Sequence, residues 1–202
     1  DGRDAILNLM PDRFANGDPS NDRVAGYVEG ADRDHPGGRH GGDLRGLRDR
    51  LDYIAGMGYT MVWPTPLIEN AQTEYSYHGY AATDLYRIDP RFGSNLDYRD
   101  FVAAARGKGI GVIQDVVPNH IGDGHRWVKD PPTADWITLG GRFEPTRHGR
   151  TALADPYAAQ VDRDDFTQGW FAPTMPDLNQ QQPLLATYLT QNAIWWIEYA
   201  DL

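Results

Sequence analysis

The stretch IGVIQDVVPNH, residues 110–120, starts as an apolar, branched run and ends in a proline, an amide and an imidazole, with an acid between. Residues 110–117 predict a buried strand, because a short apolar run bounded by turn-forming residues suits a strand covered on both faces. Alternate side chains of a strand share a side, so Ile113, Asp115 and Val117 would face one way. A carboxylate in such company needs a hydrogen-bonding partner. Asp115 therefore either anchors the next loop or belongs to a working site.

The same grammar recurs on either side. Residues 5–10, AILNLM, predict a first buried strand, and the Gly-, Asp- and Asn-rich residues 11–42 a long loop. Leu44, Leu47, Leu51, Ile54 and Met57 then recur at three- and four-residue steps, the period of an amphipathic helix, which Gly56 and Gly58 close. YTMVWPTP, residues 59–66, is the second strand. Ser94 and Asp97 form the S-x-x-D start of a helix carrying Phe101, Val102 and Ala105 and ending at Gly107 and Gly109. After residue 120 a stretch rich in Pro, Gly and Asp runs to residue 179, and Pro183 opens a last helix, LLATYLTQNAIWWIEYA.

Strand and helix in alternation imply parallel strands joined by right-handed helical crossovers. An open doubly wound sheet and a (β/α)8 barrel both fit. A closed barrel usually takes about 250 residues, and three strands cannot close one, so the chain is an open sheet or a piece of a barrel.

Composition narrows the function. With 202 residues, 40% hydrophobic and 24% charged, the chain can bury one sizeable core. Its net charge of -10, with Lys108 and Lys129 as the only lysines and the arginines scattered among acids, lacks the basic stripe of a nucleic-acid binder. No nucleic-acid partner is expected. The absence of cysteine removes disulfides, thiolate metal sites and a cysteine nucleophile together. No apolar run approaches the ~18 residues of a membrane span, so no membrane partner is expected either. The start, DGRDAILNLM, lacks a charged leader and reads as an interior segment. The compartment stays open between periplasmic or otherwise extracytoplasmic and cytoplasmic.

Three clusters carry candidate chemistry. Asp115 and His120 stand at the carboxyl end of the third strand, where functional groups collect in both architectures. Tyr77, His78, Gly79 and Tyr80 combine imidazole and phenols on a flexible joint, a mix suited to flat polyhydroxylated ligands, or to plain loop packing. Asn16, Asp18, Asn21 and Asp22 of NGDPSND, with Gly41 O and Asp43 of GGD, offer the hard oxygens that Ca²⁺ prefers. The same residues read equally as an Asx-rich turn with Asp43 capping the next helix. An EF-hand does not fit, since Asn21 and Tyr27 replace its glycine and glutamate. Gly107, Gly109 and Gly111 precede a strand instead of following one, and GGRHGG lacks a P-loop ending, so neither matches a nucleotide-binding fingerprint and both read as turns.

Taken together, YHGYAATD (77–84), DVVPNH (115–120) and MPDLN (175–179) resemble glycoside hydrolase family 13, the α-amylase family, in order and spacing. The resemblance implies α/β architecture: a partial (β/α)8 TIM barrel of about three βα units plus a following helix, with a loop-rich domain inserted after strand 3. It places the first barrel part at 1–117, the inserted domain at 118–179 and a helix leading to strand 4 at 180–202. It makes His78 a hydrogen-bond donor to the sugar, Tyr80 its stacking platform and His120 a donor to the same sugar's hydroxymethyl. Asp115 looks like an acid that holds an active-site arginine. Asn119 resembles a calcium ligand of many relatives, without recognisable companions here, and is left structural.

NGDPSND with GGD is similar to the calcium site of cyclomaltodextrinases, neopullulanases and cyclodextrin glucanotransferases, which implies Ca²⁺ as cofactor. MPDLN stands between the oligo-1,6-glucosidase and neopullulanase patterns, and WVKDPPTADWI (127–137) suggests the neopullulanase and cyclomaltodextrinase side. The implied partner is an α-glucan or maltooligosaccharide, and the implied chemistry retaining hydrolysis of α-1,4 or α-1,6 bonds. The family's nucleophile and general acid are expected beyond Leu202, so the chain alone should be inactive. Pairing of the parent into a homodimer stays open. The alternative is a non-catalytic, carbohydrate-binding or transporter-associated relative of the same barrel.

Overall fold

The computed structural model describes residues 2–147 and 151–202. Residue 1 and residues 148–150, inside the 118–179 excursion, lie outside them. β1 (Ile6–Leu9) leads through a short helix, α1 (Pro11–Phe14), into the loop that ends at α2 (Leu44–Asp49) and α3 (Leu51–Gly56). β2 (Met61–Pro64) follows, then β3 (Ile68–Glu69) and β4 (Asp84–Ile88), α4 (Asn95–Gly107) and β5 (Gly111–Val112). The excursion carries α5 (Thr151–Ala154) and α6 (Gln160–Thr167), and α7 (Pro183–Ala200) closes the order.

The expected parallel sheet is present, with order β1-β2-β5. Leu7 pairs with Val62 and Val62 with Val112, so the apolar centre of each strand lies beside the next. α2, α3 and α4 cross between these strands and cover the sheet with Leu47, Ile54, Phe101 and Ala105, all fully buried. Ser94 caps α4 as its sequence predicts: Asp97 N donates to Ser94 Oγ at 3.2 Å, and Ser94 N to the Asp97 carboxylate at 2.7 Å. Two donors left open by the first helical turn are thereby satisfied.

α7 docks through a shared acceptor. Asn192 Nδ2 and Trp196 Nε1 both donate to the Leu85 carbonyl, at 2.8 and 2.9 Å, so the buried indole and amide are paired while Trp196 fills the core. Among the described residues no helix is long and apolar enough to cross a membrane.

Several expectations are corrected. The third strand stops at Val112 instead of Val117, because β5 pairs only with β2 and its other edge has no partner among the described residues. Asp115 thus stands on an irregular segment. The helix predicted over 44–57 breaks at Arg50, whose ψ of 10° leaves the helical range, and Met57 is exposed. β1 is an edge strand with Ile6 half-exposed, not a buried one. The antiparallel pair β3-β4 within residues 68–88 was not predicted. Its strands are joined through a long loop without the two-residue turn that marks a hairpin in sequence.

Candidate active-site wall

The loop between β3 and β4 is pinned before it presents any side chain. Glu29 accepts from Tyr75 N and Ser76 N at 3.2 and 2.7 Å, and buried Arg39 donates to Ser76 O at 3.2 Å. Gly79 then turns the chain with φ +84°, and a Cβ at that position would lie 2.0 Å from Pro66 O. Only glycine fits there. The turn puts His78 and Tyr80 side by side, ring centroids 5.8 Å apart.

His78 Nδ1 accepts from Tyr80 N at 2.9 Å, so a neutral His78 carries its proton on Nε2 and offers it as a donor. Burial pushes the His78 pKa below its ordinary value, nearby Glu29 raises it and nearby His120 lowers it. Neutral imidazole is therefore the form present at pH 7.

His120 joins three segments. Its Nε2 lies 2.9 Å from Tyr80 O, an atom that only accepts, so Nε2 holds the proton and donates it. Asn119 Nδ2 lies 3.3 Å from Nδ1, and Phe171 stacks on the ring at 6.1 Å. Backbone bonds run alongside: Gly122 N to Ala82 O at 2.7 Å, Ile121 N to Pro176 O at 3.1 Å and Leu178 N to Asn119 O at 2.9 Å. YHGYAATD, DVVPNH and MPDLN are thus neighbours in space. In this arrangement the one ring N–H of His120 is spent on Tyr80.

Asp115 Oδ2 accepts from Trp63 Nε1 at 3.0 Å and from the Tyr80 hydroxyl at 3.2 Å. The arginine implied for it by resemblance is not among these partners. Burial, then the Asp115 charge, raises the Tyr80 pKa, so the phenol keeps its proton as donor. Trp63 was not foreseen as a site residue, although a tryptophan at the carboxyl end of β2 was the signal available. Asp177 was missed too. Burial raises its pKa to about 6, against hydrogen bonds from Thr138, whose Oγ1 lies at 3.0 Å, and Asn119.

The NGDPSND loop realises the capping reading in full. Asp43 Oδ1 accepts from Gly17 N and Gly46 N at 3.0 and 2.7 Å, and Oδ2 from Asp18 N and Asn21 Nδ2 at 2.8 and 3.0 Å. Asp18 takes both donors of Ser20, and Asn16 Nδ2 donates to Asp22 at 2.7 Å. Among the described residues no group of three or more His, Asp or Glu side chains is placed to hold a metal. Yet Asn16 Oδ1 and Asn21 Oδ1 are buried and have no partner among the described residues, an expensive arrangement without a further donor or cation. Gly41, at φ +87°, lies so close that a Cβ would meet Asp22 Oδ1 at 2.4 Å. The oxygens fit a hard cation, supplied by amides as much as by acids.

Comparison with known proteins completes the assignment. The chain is 41% identical over 199 residues to a β/α-amylase of Paenibacillus polymyxa, covering 96% of this chain and 15% of that protein. It is 34% identical over 204 residues to neopullulanase 2 of Thermoactinomyces vulgaris, covering 96% and 32%. The crystal structure of an Anoxybacillus α-amylase superposes with a TM-score of 0.81 at 36% identity, over 98% of this chain and 39% of that one. The chain therefore spans a third or less of the length of these two curated relatives, and it shares the α/β fold of the α-amylase barrel enzymes. The family model described as the α-amylase catalytic domain matches residues 8–201, and the chain belongs to that family.

Proposed function

We propose that this chain forms one wall of the active site of a retaining α-glucan hydrolase. The sheet β1-β2-β5 is read as the first three strands of the barrel within residues 1–117, residues 118–179 as the inserted domain, and residues 180–202 as the helix entering strand 4. The observation that carries the proposal is the convergence of His78, Tyr80, Asp115 and His120 at the carboxyl ends of β2 and β5. Such ends are where barrel enzymes place their chemistry.

In this reading His78 Nε2–H donates to a sugar hydroxyl and the Tyr80 ring lies against the sugar's apolar face. Trp63 and Tyr80 fix Asp115 through Oδ2, and its Oδ1, without a partner among the described residues, is left to orient a cationic group. His120, whose ring N–H is spent on the Tyr80 carbonyl, acts in this reading by positioning Tyr80 instead of donating to the sugar itself. Two carboxyl groups about 5–5.5 Å apart, as retaining hydrolysis requires, come from residues after Leu202. Orientation by fixed donors accounts for much of such an enzyme's rate.

Two expected results test this. In the full-length parent, His120→Ala should lower kcat/KM on maltooligosaccharides about ten- to a hundredfold, as the loss of a buried hydrogen bond worth ~1–3 kcal/mol. The 202-residue chain alone should show no turnover. A parent without glucan hydrolysis, or an unchanged rate in the variant, sinks the proposal.

Asn16, Asp18, Asn21, Asp22, Gly41 O and Asp43 are proposed to hold Ca²⁺, which ties the loop 16–43 to the start of α2. A bound ion would satisfy the amide oxygens of Asn16 and Asn21 that lack a partner among the described residues. Because a ligand bound only to the folded state stabilises it, chelation should lower the melting temperature by about 5–10 °C if calcium was present at a hundred times its Kd. An unchanged melting curve in calcium-saturated and chelated protein refutes the site.

A further inference from the structure

A cavity of about 620 Å³ opens between β4, the turn at 124–129 and the first half of α7, and it shares no lining residue with His78, Tyr80, Asp115 or His120. That volume lies in the range of small-ligand pockets, about 300–1,000 Å³. Its lining includes Asp84, Tyr86, His125, Tyr188 and the exposed Arg126 and Lys129, together with Glu69, whose carboxylate is already engaged by Tyr27, Thr83 and Arg87.

His125 is 4% exposed, and its Nδ1 accepts from Trp127 N at 3.1 Å. The ring proton therefore sits on Nε2, which has no partner among the described residues. Burial pushes the His125 pKa down to about 4, against the nearby Asp84 charge, so the ring is a neutral donor at pH 7. Asp84 uses Oδ1 to accept from Tyr86 N at 2.8 Å, and its Oδ2 has no partner among the described residues. Tyr86 and Tyr188 meet edge to face at 5.7 Å, both half-buried.

A carboxylate beside an uncharged donor disfavours an anion, and the apolar faces of the two tyrosine rings offer contact area that a small hydrated cation does not use. Neutral hydroxyls satisfy both groups at once: they donate to Asp84 and accept from His125, while apolar C–H faces pack on the tyrosines. Arg126 and Lys129 make no ion pair among the described residues and can donate to further hydroxyls at the rim.

We propose that this cavity is a second carbohydrate-binding site, taking a short neutral stretch of the α-glucan on which the proposed function rests. Calorimetric titration of the 202-residue chain with maltoheptaose tests it. Asp84→Asn and His125→Asn should each weaken binding about tenfold, the loss of one hydrogen bond. Both keep an acceptor for the Tyr86 or Trp127 amide, and an unchanged near-UV spectrum verifies that they fold. The His78→Ala/His120→Ala pair should retain this binding.

Unaltered affinity in both cavity variants overturns the second site. Binding lost only in the histidine pair also overturns it, while upholding the sugar contact at the strand ends. If the wild-type chain does not bind millimolar maltoheptaose, the second site falls, and turnover by the parent still judges the proposed function separately.

Discussion

Replacing Gly79 by alanine is expected to lower stability by about 2–4 kcal/mol and to cost the parent enzyme about a hundredfold in kcat/KM. The left-handed φ of +84° alone costs an alanine roughly 1–2 kcal/mol. The larger part comes from the added methyl, placed 2.0 Å from Pro66 O, which is backbone and cannot rotate away. The turn must move, and it carries His78 on one side and Tyr80 on the other. Loss of the Tyr80 hydroxyl from Asp115 and of the Tyr80 carbonyl from His120 would follow. Chemical denaturation gives the stability change and maltooligosaccharide hydrolysis the rate. A variant as stable and active as the wild type would mean that the turn is not built as described.

Removing Asp89 should be costlier still. Its carboxylate is wholly buried and accepts from Arg91 Nε and Nη2 at 2.9 and 2.8 Å, from Arg91 N at 3.0 Å and from Asn70 N at 3.0 Å. Asp89→Ala leaves the Arg91 guanidinium buried without a counterion, a loss of about 3–5 kcal/mol. Arg91 also donates to Glu29 O and Asn70 O, so the damage reaches the loop that Glu29 holds above His78.

The pH dependence has a definite sign. Burial raises the Asp89 pKa, but the hydrogen bonds and charges of Arg91 and Arg39 outweigh it and leave it below the ordinary value of 3.8. The stabilisation is therefore complete above that value and is lost as pH falls below it. Melting temperatures measured from pH 7 down to acid should fall less steeply in Asp89→Ala than in the wild type. Parallel curves for the two proteins contradict the assignment.

Much of the candidate site was legible in the chain because its parts are short and local. Asp115 and His120 were singled out at the end of an apolar run and His78 and Tyr80 by residue type on a glycine joint, their sugar-contact roles came from the family resemblance, and the structure brings the four together. Trp63 and Asp177 were not, because a lone tryptophan in a strand and an acid in a proline-rich stretch carry no periodic signal. Their importance comes from what lies across from them. The NGDPSND loop shows a different limit: its residues form the Asp43 helix cap, the same oxygens are those proposed for a hard cation, and sequence pattern does not separate two uses of the same oxygens.

By itself the sequence determined the alternation of parallel strands and crossover helices, the Ser94 capping box and the start of α7 at Pro183. These depend on residue spacing and on hydrogen bonds within a few positions. Tertiary structure alone decided that β5 ends at Val112, that Arg50 breaks the first helix and that residues 68–88 form an antiparallel pair. It also decided that the His120 proton is spent on Tyr80. Each of these depends on which groups distant parts of the chain bring within hydrogen-bonding reach, and a linear pattern carries no record of that.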